Sequence, residues 1–130
     1  AHVLNGLGTL LRKQGRVAEA YTALRQALEI RRSTGNQREI ALSLLAFAQL
    51  AVAVEEAATS LRLYAVAQRI NEELKISLPP DARQECDRLV QQLQLHLGND
   101  YQTQWHIART LSTDEAIDLA LSTFPSRQDP

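Results

Sequence analysis

Few side chains in this 130-residue chain have types and spacings that could do chemistry. Cys86, His96 and His106 are a thiol and two imidazoles, donors that a zinc site uses. One helix presents two ligands to a single ion when they stand three or four residues apart. Cys86 and His96 stand ten apart, and His106 falls on a different helix. The expectation is therefore a buried thiol and two surface imidazoles, with no metal. Serine, histidine and aspartate all occur, yet no nucleophile elbow or ordered triad joins them. The acid pairs Glu55-Glu56 and Glu72-Glu73 read as solvated charge on helix surfaces. A phosphate-binding loop ending in Gly-Lys-Ser or Gly-Lys-Thr is missing from the sequence. These observations predict a chain that is not an enzyme and needs no cofactor.

Arginines cluster at Arg12-Lys13-Arg16 and at Arg31-Arg32 with Arg38. A helix C-terminus accounts for Arg31 and Arg32 through its dipole alone. Two short helical segments near 100–110 and 112–122 could imitate a helix-turn-helix. The second carries no Lys or Arg, which argues against a recognition helix. Tyr101 and Trp105 stand four apart, on one helix face, the spacing of a core anchor.

The balance of the whole chain supports the same exclusions. It is 45% hydrophobic and 22% charged, with a net charge of −1, a composition that folds and offers no basic field for nucleic acid or anionic membrane. Charge is uneven along it: residues 1–40 carry seven Lys and Arg against three Glu, and residues 41–130 seven against twelve acids. The longest apolar stretch, 40–54, contains Ser43 and Gln49 and is too short to span a bilayer. A single cysteine cannot form an internal disulfide and fits a reducing, cytoplasmic setting. No charged and apolar leader pattern opens the chain.

The elements that must position any site are helices throughout. Apolar residues recur at helical spacing over about 3–14, 17–33, 37–54, 56–75, 80–97, 100–110 and 112–122. Gly15, Gly35 and Gly98 mark ends, Pro79-Pro80-Asp81 a start, and Ser112-Thr113-Asp114-Glu115 a capping box. No glycine separates the third and fourth helices near Val54-Glu55. Links of about two residues make neighbouring helices antiparallel. The third helix is apolar nearly all round, so it needs neighbours on more than one side. The expected organisation is one domain over 1–122, with repeats at about 1–35 and 37–75, capping helices at 80–122, and a loose polar tail at 123–130.

Shifting the chain by 40 residues places Leu4 on Leu44, Leu7 on Phe47, Gly8 on Ala48, Ala20 on Ser60, Leu24 on Tyr64 and Ala27 on Ala67. This alternation of large and small residues resembles the tetratricopeptide repeat, in which small residues let paired helices approach closely. The period is 40 rather than 34, Ala48 and Ser60 replace the usual Gly and Ala, and Arg32 stands where a closing proline would fall. The resemblance implies an all-α fold, a right-handed stack of antiparallel helical hairpins with about seven helices.

A wider resemblance rests on Arg38-Glu39-Ile40-Ala41-Leu42-Ser43-Leu44, Leu63-Tyr64-Ala65-Val66-Ala67-Gln68, Leu78-Pro79-Pro80, Leu97-Gly98, Trp105 and Leu111-Ser112-Thr113-Asp114-Glu115-Ala116. In that order they are similar to the C-terminal helical region of bacterial signalling ATPases and of transcriptional regulators of the LuxR and MalT types. The resemblance implies a non-catalytic sensor or partner-binding arm behind a nucleotide switch.

In tetratricopeptide proteins the first helix of each pair faces a concave surface. Carried over, that face holds Asn5, Thr9 and Arg12 from the first repeat and Leu42, Leu45 and Gln49 from the second. It would take a protein or peptide partner; the Lys and Asn pairs that grip a peptide carboxylate in some relatives are missing here. Alternatively, the helices at 80–122 fold back over Leu42 and Leu45 and close the groove. Two other functions remain open: a free-standing scaffold that forms a homodimer through the third helix, and a DNA-binding element in the last three helices.

Overall fold

A computed structural model describes residues 2–123. Seven α-helices follow one another: α1 (His2–Lys13), α2 (Val17–Thr34), α3 (Gln37–Ala53), α4 (Ala57–Glu73), α5 (Pro80–Leu97), α6 (Tyr101–Ala108) and α7 (Thr113–Thr123). A single 3-10 turn, Gly98–Asp100, joins α5 to α6, and no strand occurs among the described residues. Thr123 closes α7, and residues 124–130 of the expected tail lie outside the described residues.

Local chemistry sets the ends of these helices. After α1, the Gly15 N–H donates to the Arg12 carbonyl and the Arg16 N–H to the Leu11 carbonyl. This paired bond closes a helix with one left-handed residue, here Gly15 at φ 79°. The same pair recurs 40 residues on, from Glu55 to Val52 and from Glu56 to Ala51, with Glu55 at φ 63°. Gly35 and Lys75 also stand 40 apart, at φ 73° and 56°. The repeat is therefore one of backbone conformation as well as residue size, and it places two side-chain-bearing residues in a region that favours glycine. This explains how α3 turns into α4 without a glycine. At the other ends, the Glu39 N–H donates to Asn36 Oδ1, and Ser112 and Glu115 exchange the two bonds of the expected capping box.

The hairpins α1–α2 and α3–α4 stack side by side. Gly8 lies so close to α2 that a Cβ there would sit 2.5 Å from Leu24 Cδ2. In the second hairpin Ala48 fills that position, and Ser60 Oγ donates to the Ala48 carbonyl at 2.7 Å. Between the hairpins, Tyr21 of α2 meets Phe47 of α3 edge to face, with ring centroids 6.0 Å apart. Leu44, Phe47 and Leu50 are buried as the all-round apolar pattern of α3 predicts. That burial is internal, so α3 leaves no broad apolar face for a second copy; Leu42 is the one large apolar side chain it exposes. On α1 the outcome differs. Only Leu11 and Gly8 are buried, while Val3, Leu7 and Leu10 stay exposed.

Arg31 needs more than the helix dipole to explain it. Its side chain is 1% exposed, and its Nη1 donates to the Glu39 carbonyl and to Ser43 Oγ. The Glu39 carboxylate lies 3.6 Å from Nε. A buried guanidinium is tolerated only with such partners.

The last three helices part company. α5 runs beside α3 and α4, α6 packs on α4, and α7 packs on α4 and α3. Arg69 of α4 donates to the carbonyls of Arg109 and Leu111 and so pins the α6–α7 turn. α7 reaches back to the first hairpin, where Tyr21 Oη donates to the Leu121 carbonyl at 2.9 Å and Arg32 pairs with Asp118. These helices leave Leu42 uncovered. Leu42 is 40% exposed, and Leu45 is half-buried against the core.

Candidate functional site

α5 lies next to α3, and the helices α1, α3 and α5 wall a common cleft of about 460 Å³. Arg12 and Lys13 come from the end of α1, and Gln49 and Val52 from α3. From α5 come Asp81, Gln84, Glu85, Arg88, Leu89 and Gln92. Their spacing follows one helix face, so a single straight element supplies more than half the wall. The floor is the apolar edge of the core at Val52 and Leu89.

Of the six residues expected on the concave face, the structure brings Arg12 and Gln49 together in this cleft. Asn5 and Thr9 are half-buried further along α1, outside the lining, and Asn5 Oδ1 is buried without a hydrogen-bond partner. Leu42 and Leu45 also lie outside the lining. What the sequence reading missed is α5. Its polar residues at 81, 84, 85, 88 and 92 repeat at helical spacing, a signal present in the sequence alongside the apolar face at Cys86, Leu89, Val90 and Leu93.

The electrostatics suit recognition of a polar partner. Burial pushes the Arg12 guanidinium below its ordinary value, and Glu85 across the cleft pulls it partly back. Arg12 stays charged, yet no carboxylate lies within 4.0 Å of it among the described residues. Lys13 and Arg88 lack a paired acid there as well. Three glutamines carry a donor and an acceptor each, matching what a peptide backbone presents.

Other candidate residues have structural roles. Glu72 bonds to Arg109, which holds the Glu72 carboxyl below its usual range, and Glu73 pairs with Arg69 at 3.8 Å. Tyr64, Tyr101 and Trp105 form one aromatic cluster, with Arg109 over the Trp105 ring. Cys86 is buried, and desolvation with Asp87 and Glu85 nearby raises its thiol above the ordinary value, the reverse of an activated nucleophile. His96 and His106 are exposed. Among the described residues no three His, Cys, Asp or Glu side chains gather as a metal site. No helix among them is long and apolar enough to cross a membrane. Of the basic residues clustered in the first hairpin and at the start of α3, Arg12 and Lys13 line the cleft, Arg31 enters the core, Arg16 and Arg32 pair with Glu19 and Asp118, and Arg38 is exposed.

A family model of the tetratricopeptide repeat matches residues 1–73, which end with the last residue of α4. The chain belongs to the tetratricopeptide-repeat family. Repeats of this family generally mediate protein–protein interaction and are typically non-enzymatic. No curated protein and no solved structure matches the chain. The family match covers the two hairpins, and α5 to α7 lie beyond it.

Proposed function

We propose that this tetratricopeptide chain is a non-catalytic, partner-binding arm of a larger cytoplasmic bacterial regulator, and that it holds a protein segment in the cleft between α1, α3 and α5. The observation that carries the binding part is the cleft itself, where Arg12, Arg88 and Gln49 face an open, partly desolvated space without internal partners. Bound segments of polar character would satisfy these groups, with the glutamines taking backbone amides and the arginines taking acidic side chains. The regulator part rests on the resemblance of residues 37–122 to the helical regions of LuxR- and MalT-type regulators. Binding would bias a switch module elsewhere in such a protein by favouring one of its states.

The cleft is tested by selecting peptides from a random displayed library against the 130-residue chain. Selected peptides are expected to lose at least about tenfold in affinity against an Arg12→Ala/Gln49→Ala variant. Unchanged affinity would place the binding surface elsewhere. The regulator context is tested in the gene: a phosphate-binding loop encoded N-terminal to Ala1 is expected, and a reading frame without a switch module refutes that part.

A further inference from the structure

A second cavity, of about 420 Å³, opens where the family match ends. Its wall is the last two turns of α4, the linker 74–79 and the start of α5, and it shares no lining residue with the cleft. The linker opens it. Between α2 and α3 the link is only Gly35-Asn36, whereas residues 74–79 join α4 to α5.

One position in this wall carries a side chain where the backbone favours none. Lys75 lies in the left-handed region at φ 56°, and its counterpart one repeat earlier is Gly35 at φ 73°. A side chain in that region costs about 1–2 kcal/mol. The helix end does not require a lysine to cap it. The carbonyls of Ile70, Asn71 and Glu72 already accept from the N–H groups of Leu74, Ile76 and Lys75.

The charge of the wall is positive. Lys75 on the linker and Arg83 on α5 both line the cavity, and neither has a carboxylate within 4.0 Å among the described residues. The one acid of the wall, Glu72, is taken up by Arg109. Half-buried Gln68 and Asn71 add amide donors from α4. In the linker, the N–H groups of Ser77 and Leu78 donate to no group among the described residues. Ile76 and Leu78 are half-buried and give the cavity an apolar side.

We propose that this cavity binds a small organic anion, a carboxylate or a phosphate monoester with a short apolar body. Its size falls in the range of small-molecule sites. Arg83 and Lys75 take the anionic group from α5 and from the linker, as charge-assisted bonds to carboxylate and phosphate require. The body of the ligand lies on Ile76 and Leu78. Arg83 stands between Asp81 and Gln84 of the cleft wall, so an anion held here also ties down the helix that forms that wall. The site does not rest on the cleft reading, and the failure of either leaves the other standing.

The test is a titration of the isotope-labelled 130-residue chain with sodium hexanoate and with n-butyl phosphate, followed by amide chemical shifts at constant pH and ionic strength. One or both anions should saturate with a Kd of about 1 mM or tighter and move the amides of Ser77, Leu78 and Arg83. Which anion saturates tells carboxylate from phosphate. Hexan-1-ol, a similar body without charge, should not saturate. Lys75→Gly/Arg83→Gln should weaken binding by at least about tenfold. Lys75→Gly alone relieves the left-handed strain, so it should bind less tightly and yet unfold at a higher temperature, which separates lost binding from lost folding. Arg38→Gln/Arg62→Gln removes two exposed cations elsewhere and should bind as the parent does. Failure of both anions to saturate, equal saturation by hexan-1-ol, or binding that survives Lys75→Gly/Arg83→Gln overturns the proposal. Equal weakening by Arg38→Gln/Arg62→Gln overturns it too, because net charge and not this cavity would then hold the anion.

Discussion

Gly6 and Gly8 stand two residues apart in α1, and replacing each with alanine should move stability in opposite directions. The intrinsic change is the same at both positions. Alanine in a helix interior is favoured over glycine by about 0.8–1 kcal/mol. At Gly6 an added Cβ meets nothing within 4 Å, so Gly6→Ala should stabilise by roughly 0.5–1 kcal/mol, a little under the full value because the site is near the helix start. At Gly8 the added carbon would lie 2.5 Å from Leu24 Cδ2, 2.6 Å from Leu24 Cγ and 3.3 Å from the Ala20 carbonyl. Leu24 is 1% exposed and has no free space to turn into. Forcing a methyl group into a packed interface costs about 1–3 kcal/mol. After the propensity gain, Gly8→Ala should destabilise by roughly 0.5–2 kcal/mol. Urea unfolding followed by circular dichroism at 222 nm measures both variants against the parent. A midpoint for Gly8→Ala at or above that of Gly6→Ala would refute the close approach of α1 to α2. Adding Leu24→Ala separates the clash from other causes: in that background Gly8→Ala should cost less, because the obstructing atoms are gone.

Three further substitutions test the turns and the C-terminal packing. Glu55→Gly and Lys75→Gly should each stabilise by up to about 1 kcal/mol, since a side chain in the left-handed region costs about 1–2 kcal/mol and glycine gives part of that back in chain entropy; a loss of stability in thermal unfolding would refute the strain. Arg69→Met removes the donor to the Arg109 and Leu111 carbonyls and should cost about 2–3 kcal/mol, with faster amide exchange in α6 and α7 than in α1; uniform exchange would show that the turn is held by other contacts.

Much of this molecule is legible in its sequence. The seven helices, the ends at Gly15 and Gly35, the Ser112–Glu115 box and the 40-residue repeat all follow from rules that act within one or two turns of chain. Gly8 could be read as a close-approach position because Leu24 stands at its fixed partner place in a hairpin with a short link. The turn at Glu55 was harder, as its left-handed residue has a side chain and carries no glycine signal.

Tertiary structure alone decided which faces are covered. Val3, Leu7 and Leu10 have the same helical spacing as Ser43, Phe47 and Leu50, yet the first set is exposed and the second buried. Arg31 and Arg32 are adjacent at one helix end, and one enters the core while the other reaches Asp118. The cleft joins Arg12 and Gln49 to α5, a helix more than 30 residues away from either in the chain. Periodicity fixes the direction of a side chain about its own helix axis. What stands opposite it depends on how separate helices share a limited apolar surface, a sum of many weak contacts between residues far apart in sequence.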